Sequence, residues 1–305
     1  MASPRVPPQY QGPPRHPAFA RYLEQAEKLK RLPCCDEQPM IGHPACTWEN
    51  FKRPLLRRFP FTPADISWES RLGGGVDGCV WKVKCSDQGP FAVKVFWESE
   101  PPPATRYWAF QRECQNATIL QMIAAAVEQA TESSPVYIHA EPTNRRDAIE
   151  NLYAFFEEGR REQRLKAVSG SLPLHSTPPL RKCFGWLQIS GQFLRDLKVD
   201  GMAPPILKLN LEVRREIRPD QEYFAIVYEY LPEGENNLAA VQSQLDFLWR
   251  AGFCFGLSPR EENWKDGVLV DLSEIASPGQ LGWTSYYGRI EAEKHLKDKS
   301  RYNLT

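Results

Sequence analysis

The sequence predicts an α+β fold, in which a five-stranded antiparallel sheet and one long helix precede a small helical part. Three observations support this prediction: a glycine turn between two strands, apolar residues at helical spacing after the third strand, and two later apolar strands. The predicted elements are two strands around the glycine turn from residue 66 onward, a strand at 91–96, a helix at 106–125, strands at 182–189 and 223–231, and a helix at 237–251.

The glycine turn joins the first two strands. Gly73, Gly75, Gly78 and Val80 follow the spacing G-x-G-x-x-G-x-V, and Leu72 stands just before them. Glycine lets a backbone turn tightly and approach a phosphate group, where a side chain would clash. Val80 would then lie under a flat base. The spacing alone is a weak signal, because glycine turns between strands are common.

One lysine stands in the apolar strand that follows the turn. Lys94 comes two residues after Ala92 and fourteen after Val80, and a lysine buried in a strand needs an anionic partner. Glu113 lies nineteen residues further on, in the predicted helix. Taken alone, Glu113 is equally well explained as a solvated helix residue. Together, the turn, the lysine and the glutamate resemble the ATP-binding N-lobe of a protein kinase.

The resemblance also assigns roles to the strand at 223–231. Tyr228 takes the gatekeeper position, and the backbone of Glu229 and Leu231 takes the hinge that bonds the adenine edge. An ordinary buried strand that ends at a turn stays open as the alternative. The nucleotide-binding residues that the resemblance implies are Leu72, Gly73, Gly75, Gly78, Val80, Ala92, Lys94, Glu113, Tyr228, Glu229 and Leu231.

The catalytic residues of a kinase are incomplete in this chain. A kinase uses an aspartate as proton acceptor, an asparagine five residues later and a further aspartate, the last two holding magnesium. Asn263 and Asp271 fill the two metal positions and imply ATP and Mg²⁺ as ligands. Ser258 stands at the base position, where a neutral hydroxyl cannot act as a carboxylate does. Glu261 or Glu262 as a substitute base is the less favoured alternative.

Composition sets outer limits on function. The 305 residues include 38 basic and 38 acidic side chains, so charge gives no reason to expect nucleic-acid or membrane binding. The chain opens without the apolar segment of a signal peptide, and it has no apolar run long enough to cross a bilayer. We therefore expect a nuclear or cytoplasmic protein that is not secreted.

The eight cysteines form no C-x-x-C pair. One alternative is a metal cluster formed by Cys34, Cys35, His43 and Cys46, although the spacing of these residues matches no zinc pattern. Reduced, buried thiols are the favoured interpretation.

Two regions flank or interrupt the predicted kinase-like domain at 64–305. Residues 1–63 are proline-rich and predicted to be partly disordered, with one amphipathic helix marked by Phe19, Tyr22 and Leu23. Within this region the prolines predict irregular structure after residue 33. An insertion at about 126–180 is expected to hold one further amphipathic helix.

A narrower resemblance follows from several segments together. The chain resembles the Fta2-type subunit family of the fungal kinetochore Sim4 complex, and the resemblance covers roughly residues 66–276 without the insertion. The segments that carry it are LGGGVDGCVWKVK, FAVKVF, FQRECQNATIL, KCFGWLQI and ENWKDGVLVDLSE. The resemblance implies a kinase-like chain whose partners are other proteins, kinetochore subunits among them.

Two functions from different classes remain. The favoured one is a pseudokinase with a reduced helical C-lobe, which lacks the catalytic aspartate and acts as a protein-interaction module, with or without bound ATP. The alternative is a divergent ATP-dependent phosphotransferase, supported by the presence of Lys94, Glu113, Asn263 and Asp271 together. Such an enzyme would be slow without being inactive, because lysine and metal handle much of the transition-state charge.

Overall fold

The computed structural model describes residues 17–103, 106–131, 135–197, 202–208, 214–256, 259–283 and 287–296. Its α-helices are α1 Pro17–Lys30, α2 Trp48–Lys52, α3 Ala109–Glu128, α4 Arg145–Ala154, α5 Glu157–Glu162, α6 Gly191–Arg195, α7 Leu238–Arg250 and α8 Ala292–Leu296. Its strands are β1 Cys35–Pro39, β2 Leu56–Arg58, β3 Ile66–Gly74, β4 Gly78–Cys85, β5 Gln88–Phe96, β6 Val136–His139, β7 Ser171–Leu174, β8 Cys183–Ser190, β9 Leu207–Lys208, β10 Arg214–Arg215, β11 Glu222–Glu229, β12 Cys254–Phe255, β13 Trp264–Lys265, β14 Val268–Leu269 and β15 Ile275–Ala276.

The predicted α+β class is confirmed, and the main sheet is larger than predicted. Seven strands lie in the order β1-β2-β8-β11-β5-β4-β3. The last five in this order pair antiparallel, whereas β1 pairs with β2, and β2 with β8, in parallel. The sequence prediction of five antiparallel strands therefore missed two parallel strands at one edge, and the sheet is mixed.

The two additional strands come from a segment that was predicted to be irregular. β1 and β2 have five and three residues, so each fits between prolines that exclude a longer element. Gly185 in β8 lets β2 approach closely, because a Cβ there would lie 2.6 Å from the backbone nitrogen of Phe59. Leu56 of β2 is fully buried beneath this edge.

The register of the central strands decides which side chains face α3. Lys94 of β5 lies opposite Val80 of β4 and Ile226 of β11, and Ala92 lies opposite Tyr228. Because directly paired residues share a face and successive residues alternate, these five side chains lie on the same face of the sheet. The opposite face packs into a separate apolar cluster, which includes Trp81, Val83, Val93, Val95, Ala225 and Val227.

Helix α3 is buried on nearly all sides. It begins and ends three residues later than the predicted 106–125. Its core residues Phe110, Ala117 and Met122 are at most 2 % exposed. The helix is enclosed by other elements: α3 packs against the sheet, the 272–276 segment and the N-terminal region.

The C-terminal part is small and contains few long elements. Asn237 caps α7 by accepting hydrogen bonds from the backbone of residues 239 and 240, and Gly252 follows the helix with a φ of +93°. This agrees with the predicted helix at 237–251, because a left-handed glycine typically terminates a helix. Beyond α7, the described residues form α8 and the short pairs β12–β15 and β13–β14.

The described residues of the segment predicted as an insertion pack against α7 and α2. β6 and β7 pair antiparallel, and α4 and α5 lie between these two strands in the chain. The amide of Asn151 in α4 donates to the carbonyls of His139, at 3.1 Å, and of Arg250, at 2.9 Å. The rings of Phe51 and Phe156 lie 4.0 Å apart, so the segment also contacts α2. None of the described helices is both long and apolar enough to span a bilayer.

Candidate functional site: a buried ion-pair centre

Lys94 lies at the centre of the site. β5 directs its side chain toward α3, where only 7 % of the residue is exposed. Its ammonium lies 2.5 Å from Oε1 of Glu113 and 3.1 Å from Oδ1 of Asp271. These contacts provide the anionic partners that a buried lysine requires. The three side chains from β5, α3 and the chain after β14 therefore converge.

Glu113 is fully buried on the inner face of α3. One oxygen accepts from Lys94, and the other accepts a 2.8 Å hydrogen bond from the hydroxyl of Tyr228. Tyr228 is itself fully buried, and the guanidinium of Arg181 lies over its ring at 4.2 Å from the centroid. Both carboxylate oxygens of Glu113 are thus satisfied by side chains of the sheet.

Asp271 begins a short 3₁₀ turn, Leu272–Glu274, and caps it. Its Oδ1 accepts from the backbone nitrogen of Ser273 at 3.1 Å and lies 2.7 Å from the Ser273 hydroxyl. The side chain of Asp271 is 25 % exposed, more than that of Lys94 or Glu113. Asp271 is therefore the member of the centre with the best access to solvent.

The electrostatics favour an ion pair between Lys94 and Asp271, whereas the carboxyl of Glu113 is more weakly ionised. Burial alone would lower the pKa of Lys94, but Asp271 and Glu113 raise it above its ordinary value. Burial opposes ionisation of Asp271 too, yet Lys94 and the Ser273 donors lower its pKa to about 2. Burial raises the pKa of Glu113 to about 8, even though Lys94 and Tyr228 donate to it. Lys94 and Asp271 are therefore charged at neutral pH.

The glycine turn closes over this centre through an acidic residue. Oδ2 of Asp77 lies 2.9 Å from the Ser273 hydroxyl and 3.4 Å from the hydroxyl of Tyr107. The same Ser273 hydroxyl contacts Asp271, so its single proton serves one of two carboxylates at a time. Asp77 also acts on Lys94 electrostatically. The sequence analysis did not identify Asp77. An acidic residue inside a turn that was predicted to bind phosphate is unusual and could have drawn attention to it.

The three glycines of the G-x-G-x-x-G spacing lie in different surroundings. A Cβ on Gly78 would lie 2.3 Å from the carbonyl oxygen of Val95, so strand packing alone requires glycine there. A Cβ on Gly73 or Gly75 would meet no atom within 4 Å. The Gly75 amide donates to the Gly78 carbonyl at 2.9 Å, and the Trp97 indole donates to the Gly75 carbonyl at 2.8 Å. Much of the turn's backbone is thus bonded internally.

The second predicted metal ligand is used differently. The side-chain amide of Asn263 donates to Oε1 of Glu274 at 2.6 Å. Burial raises the pKa of Glu274 to about 7, against the lowering by this amide. The structure therefore pairs Asn263 with Glu274 and Asp271 with Lys94. Ser258, the residue predicted at the base position, lies outside the described residues.

The remaining predicted residues surround the centre. Leu72 and Val80 are half-buried against the main core, and Ala92 is buried. The backbone N–H of Glu229, at the end of β11, donates to the carbonyl of Lys182 at 2.9 Å. Leu231 follows β11 as a half-buried residue outside any strand. Of these residues, Ala92 shares the face of the sheet that carries Lys94 and Tyr228.

Comparison with known families identifies the chain. A family model described as "Kinetochore Sim4 complex subunit FTA2" matches residues 29–276. The chain belongs to this FTA2 family. A comparison with curated proteins found no match. Membership supports a kinetochore-associated role and, with it, protein partners.

The structure explains why particular residues occur in the motifs that indicated the FTA2 family. Gly185 of the Cys-x-Gly-Trp segment has a φ of +119° and admits β2, as described above. Trp186 beside it donates its indole N–H to the Asp36 carbonyl at 2.9 Å. Asp266 and Gly267 have φ values of +49° and +76° and form the turn between β13 and β14, as an Asp-Gly hairpin turn does.

Two buried polar residues of α3 hold the segment that carries Asp271, and sequence reasoning missed both. The Asn116 amide donates to the carbonyls of Leu272 and Ile275, each at 2.8 Å. Arg112 donates to the carbonyl of Ser273 at 3.2 Å and lies over the ring of Tyr107. Arg112 lies one residue before Glu113 on this helix, and Asn116 lies three residues after it. An Arg and an Asn in an apolar helix were the available signals.

A separate apolar cavity of about 250 Å³ lies between α2, α3 and α4. Neither Lys94, Glu113 nor Asp271 lines it. Leu32 and Ile149 do, and both are exposed, at 40 % and 36 %. This cavity is thus distinct from the ion-pair centre of the FTA2-family chain.

Proposed function

We propose that this chain is a kinetochore-associated protein-interaction module built on a kinase-like fold, in which the former catalytic centre stabilises the fold. It is a nuclear protein whose partners are other kinetochore proteins. The observation that carries the proposal is the FTA2 family match over residues 29–276. The ion-pair centre supports the second part, because its charges are satisfied within the chain.

The kinase-like assignment is supported by the arrangement of three groups. In kinases, a lysine on the third strand pairs with a glutamate of the following helix, and a later aspartate lies beside them. Lys94, Glu113 and Asp271 follow the same order, and the Lys94 ammonium lies within 3.1 Å of both acidic side chains. Five antiparallel strands and a glycine turn surround them.

The lack of catalysis is supported by chemistry at three points. The sequence places Ser258 where a kinase has its general base, and a hydroxyl is a poor proton acceptor at neutral pH. Asp77 and Asp271 place two carboxylates near the single Lys94 ammonium, in addition to the weakly ionised Glu113 carboxyl. Such a centre disfavours phosphate oxygens unless cations accompany them. Asn263, the expected second metal ligand, bonds Glu274.

Binding of ATP with Mg²⁺ is the second candidate, favoured by one specific observation. Gly73 and Gly75 leave open space beside the turn, as a phosphate-binding loop does, and Asp271 is a partly exposed carboxylate next to Lys94. Lys94 would hold phosphate oxygens and Asp271 one Mg²⁺, whose charge would offset the excess of carboxylates. The residues fit one metal ion better than two.

A thermal-melt titration separates these candidates. With free Mg-ATP at about a hundred times its dissociation constant, binding should raise the free energy of unfolding by about 2.7 kcal/mol. The control is Gly75→Leu, which fills the open space beside the turn without touching the ion pairs. A shift in the wild-type chain that Gly75→Leu abolishes supports the second candidate, and no shift at any Mg-ATP concentration removes it.

A localisation experiment tests the kinetochore role itself. The full chain carrying a fluorescent tag should form foci that coincide with a centromere marker in the cells from which it comes. A diffuse signal at the same expression level would remove the proposed role. This result would not depend on whether nucleotide binds.

A further inference from the structure

Three cysteine side chains meet at a place that the ion-pair centre does not use. Cys34 directly precedes β1, Cys35 begins it, and Cys114 lies in α3, directly after Glu113. Their sulfur atoms all lie within 4.8 Å of one another. Cys34 and Cys114 are buried, at 5 % and 0 % exposure, and Cys35 is half-buried. The chain separates the two halves of this three-thiol cluster by about eighty residues, so tertiary structure alone creates it.

We propose that Cys34, Cys35 and Cys114 form a binding site for one thiophilic d¹⁰ metal ion, Zn²⁺ or Cu⁺. Soft thiolate ligands select such ions over hard cations. Binding would displace the thiol protons to solvent and form three metal–sulfur bonds.

The sulfur spacing fits one shared ion. Sulfur lies about 2.3 Å from zinc, so sulfurs of a tetrahedral or trigonal site lie about 3.8–4.0 Å from one another. The sulfurs of Cys34 and Cys35 are 3.8 Å apart. Adjacent residues of an extended chain normally direct their side chains to opposite faces, so two neighbouring thiols that turn toward the same third sulfur are unusual for simple core packing.

The surroundings hold the three sulfurs in place. Gln111 lies one helical turn before Cys114, and its amide lies within hydrogen-bond distance of the carbonyls of residues 29, 30 and 32, at 2.7–3.2 Å. The carbonyl of Cys34 accepts from the Leu56 amide at 2.8 Å. The backbone on both sides of the cluster is therefore fixed before any ion arrives, which lowers the cost of ordering the site.

The donor set leaves one position for solvent or a further ligand. In the part of the chain that the structure describes, the group consists of these three cysteines, with no imidazole or carboxylate in it. Cu⁺ is satisfied by three thiolates, whereas Zn²⁺ takes a fourth ligand, for which the half-exposed side of Cys35 gives access to water. The proposed ion would connect the β1 edge to the helix that carries Glu113.

Metal loading of the full chain tests this site. The chain is stripped with a chelator under reducing, oxygen-free conditions, loaded with Zn²⁺ alone or Cu⁺ alone, and desalted against a competing chelator. We expect one ion per chain in at least one arm, and the arm that retains the ion identifies the metal. A chain that retains neither ion would overturn the proposal.

Two variants make the result specific. Cys35→Ser changes the half-exposed ligand and so has the smallest effect on packing, whereas Cys85→Ser is the control for a buried thiol outside the cluster. Loss of a ligand should weaken binding more than the roughly 10–100-fold typical of an outer-shell partner. Equal retention by Cys35→Ser, or equal loss by both variants, would contradict the site.

A second measurement uses the wild-type chain alone, so it does not depend on the variants folding well. Alkylation of the wild-type chain in denaturant-free buffer, read by mass spectrometry, should show slower modification of Cys35 when the ion is bound. Co²⁺ as a probe should add sulfur-to-metal charge-transfer absorption to the wild-type chain. Unchanged alkylation of Cys35 and no such absorption would count against the proposal.

Discussion

Lys94 shows at the scale of one residue how burial dictates partners. Its ammonium is held by Glu113 and Asp271, both of which need it in turn, because an unpaired charge in this position would be strongly disfavoured. The cost of breaking such a set falls on whichever group is left alone. The centre is therefore best tested by removing one member and comparing the effect with an exposed lysine.

Removing the Lys94 ammonium should destabilise the chain strongly. Lys94→Met leaves the Asp271 carboxylate without its cation and Glu113 without a hydrogen-bond donor, and it should lower the free energy of unfolding by about 3–5 kcal/mol in urea titrations. Lys84→Met is the matched control, since that lysine pairs with Glu69 at 53 % exposure and should cost about 0–1 kcal/mol. Similar losses for both variants would show that the buried pair does not stabilise the fold.

Acid should weaken the chain through Asp271. Its pKa is about 2 in the folded state and about 3.9 when unfolded, so the unfolded state binds more protons between these values. The stabilisation, about 2–3 kcal/mol, is complete above about pH 5 and is lost as the pH falls toward 2. Urea titrations across this range should give a shallower pH dependence for Asp271→Asn than for wild type; equal slopes would refute the assignment.

At the scale of elements, α3 organises the centre. It supplies Glu113 to the sheet, and Asn116 to the segment after β14. Its position between the two explains why a helix in a mixed α+β chain carries several buried polar side chains. The strands beside α3 also pack tightly at the glycine turn, where Gly78 lies so close to β5 that a side chain would clash.

Asn116 should be more important than a neighbour on the same helix. Asn116→Ala removes two hydrogen bonds and leaves two buried carbonyls unpaired, which should cost about 2–4 kcal/mol of unfolding free energy. Gln115→Ala, one residue earlier and half-buried, loses one contact with Gln280 and should cost less than about 1 kcal/mol. Denaturant titrations of both variants check the difference, and a reversed order would contradict it.

The glycines of the turn should respond differently to a methyl group. Gly78→Ala places a Cβ against the Val95 carbonyl and should lower the free energy of unfolding by about 1–3 kcal/mol or more. Gly75→Ala meets open space and should be nearly neutral. Melting temperatures of the two variants give the comparison. If Gly75→Ala destabilised the chain as much, the packing assigned to this turn would be wrong.

At the scale of the whole molecule, the N-terminal region, the sheet and the C-terminal segment all pack on α3. Lys30, at the end of α1, donates to the carbonyl of Pro102 at 2.6 Å. The side-chain amide of Gln111 in α3 donates to the carbonyl of Leu32, just after α1, at 2.7 Å. The FTA2 family match likewise begins at residue 29, before the predicted kinase-like domain. The described part of the N-terminal region is thus integrated with the main sheet.

How much the sequence could predict depends on the range of each interaction. The pairing of Lys94 with Glu113 was predictable because the spacing of the turn, the lysine and the glutamate resembles that of a kinase N-lobe. β1 and β2 were not, because each is too short to give a periodic signal between prolines. The contact of Asp77 with Ser273, almost two hundred residues apart, depends on tertiary packing that no local pattern carries.

The central claim is that the ion-pair centre serves the fold of a kinetochore-associated protein without performing catalysis. The most direct measurement replaces the cell's own copy with a tagged Asp271→Asn chain, expressed at wild-type level, and records centromere foci and growth. We predict foci and growth like those of the wild-type chain. Loss of growth or foci while the variant stays folded and abundant would show that the carboxylate has a function beyond the fold, and would contradict the claim.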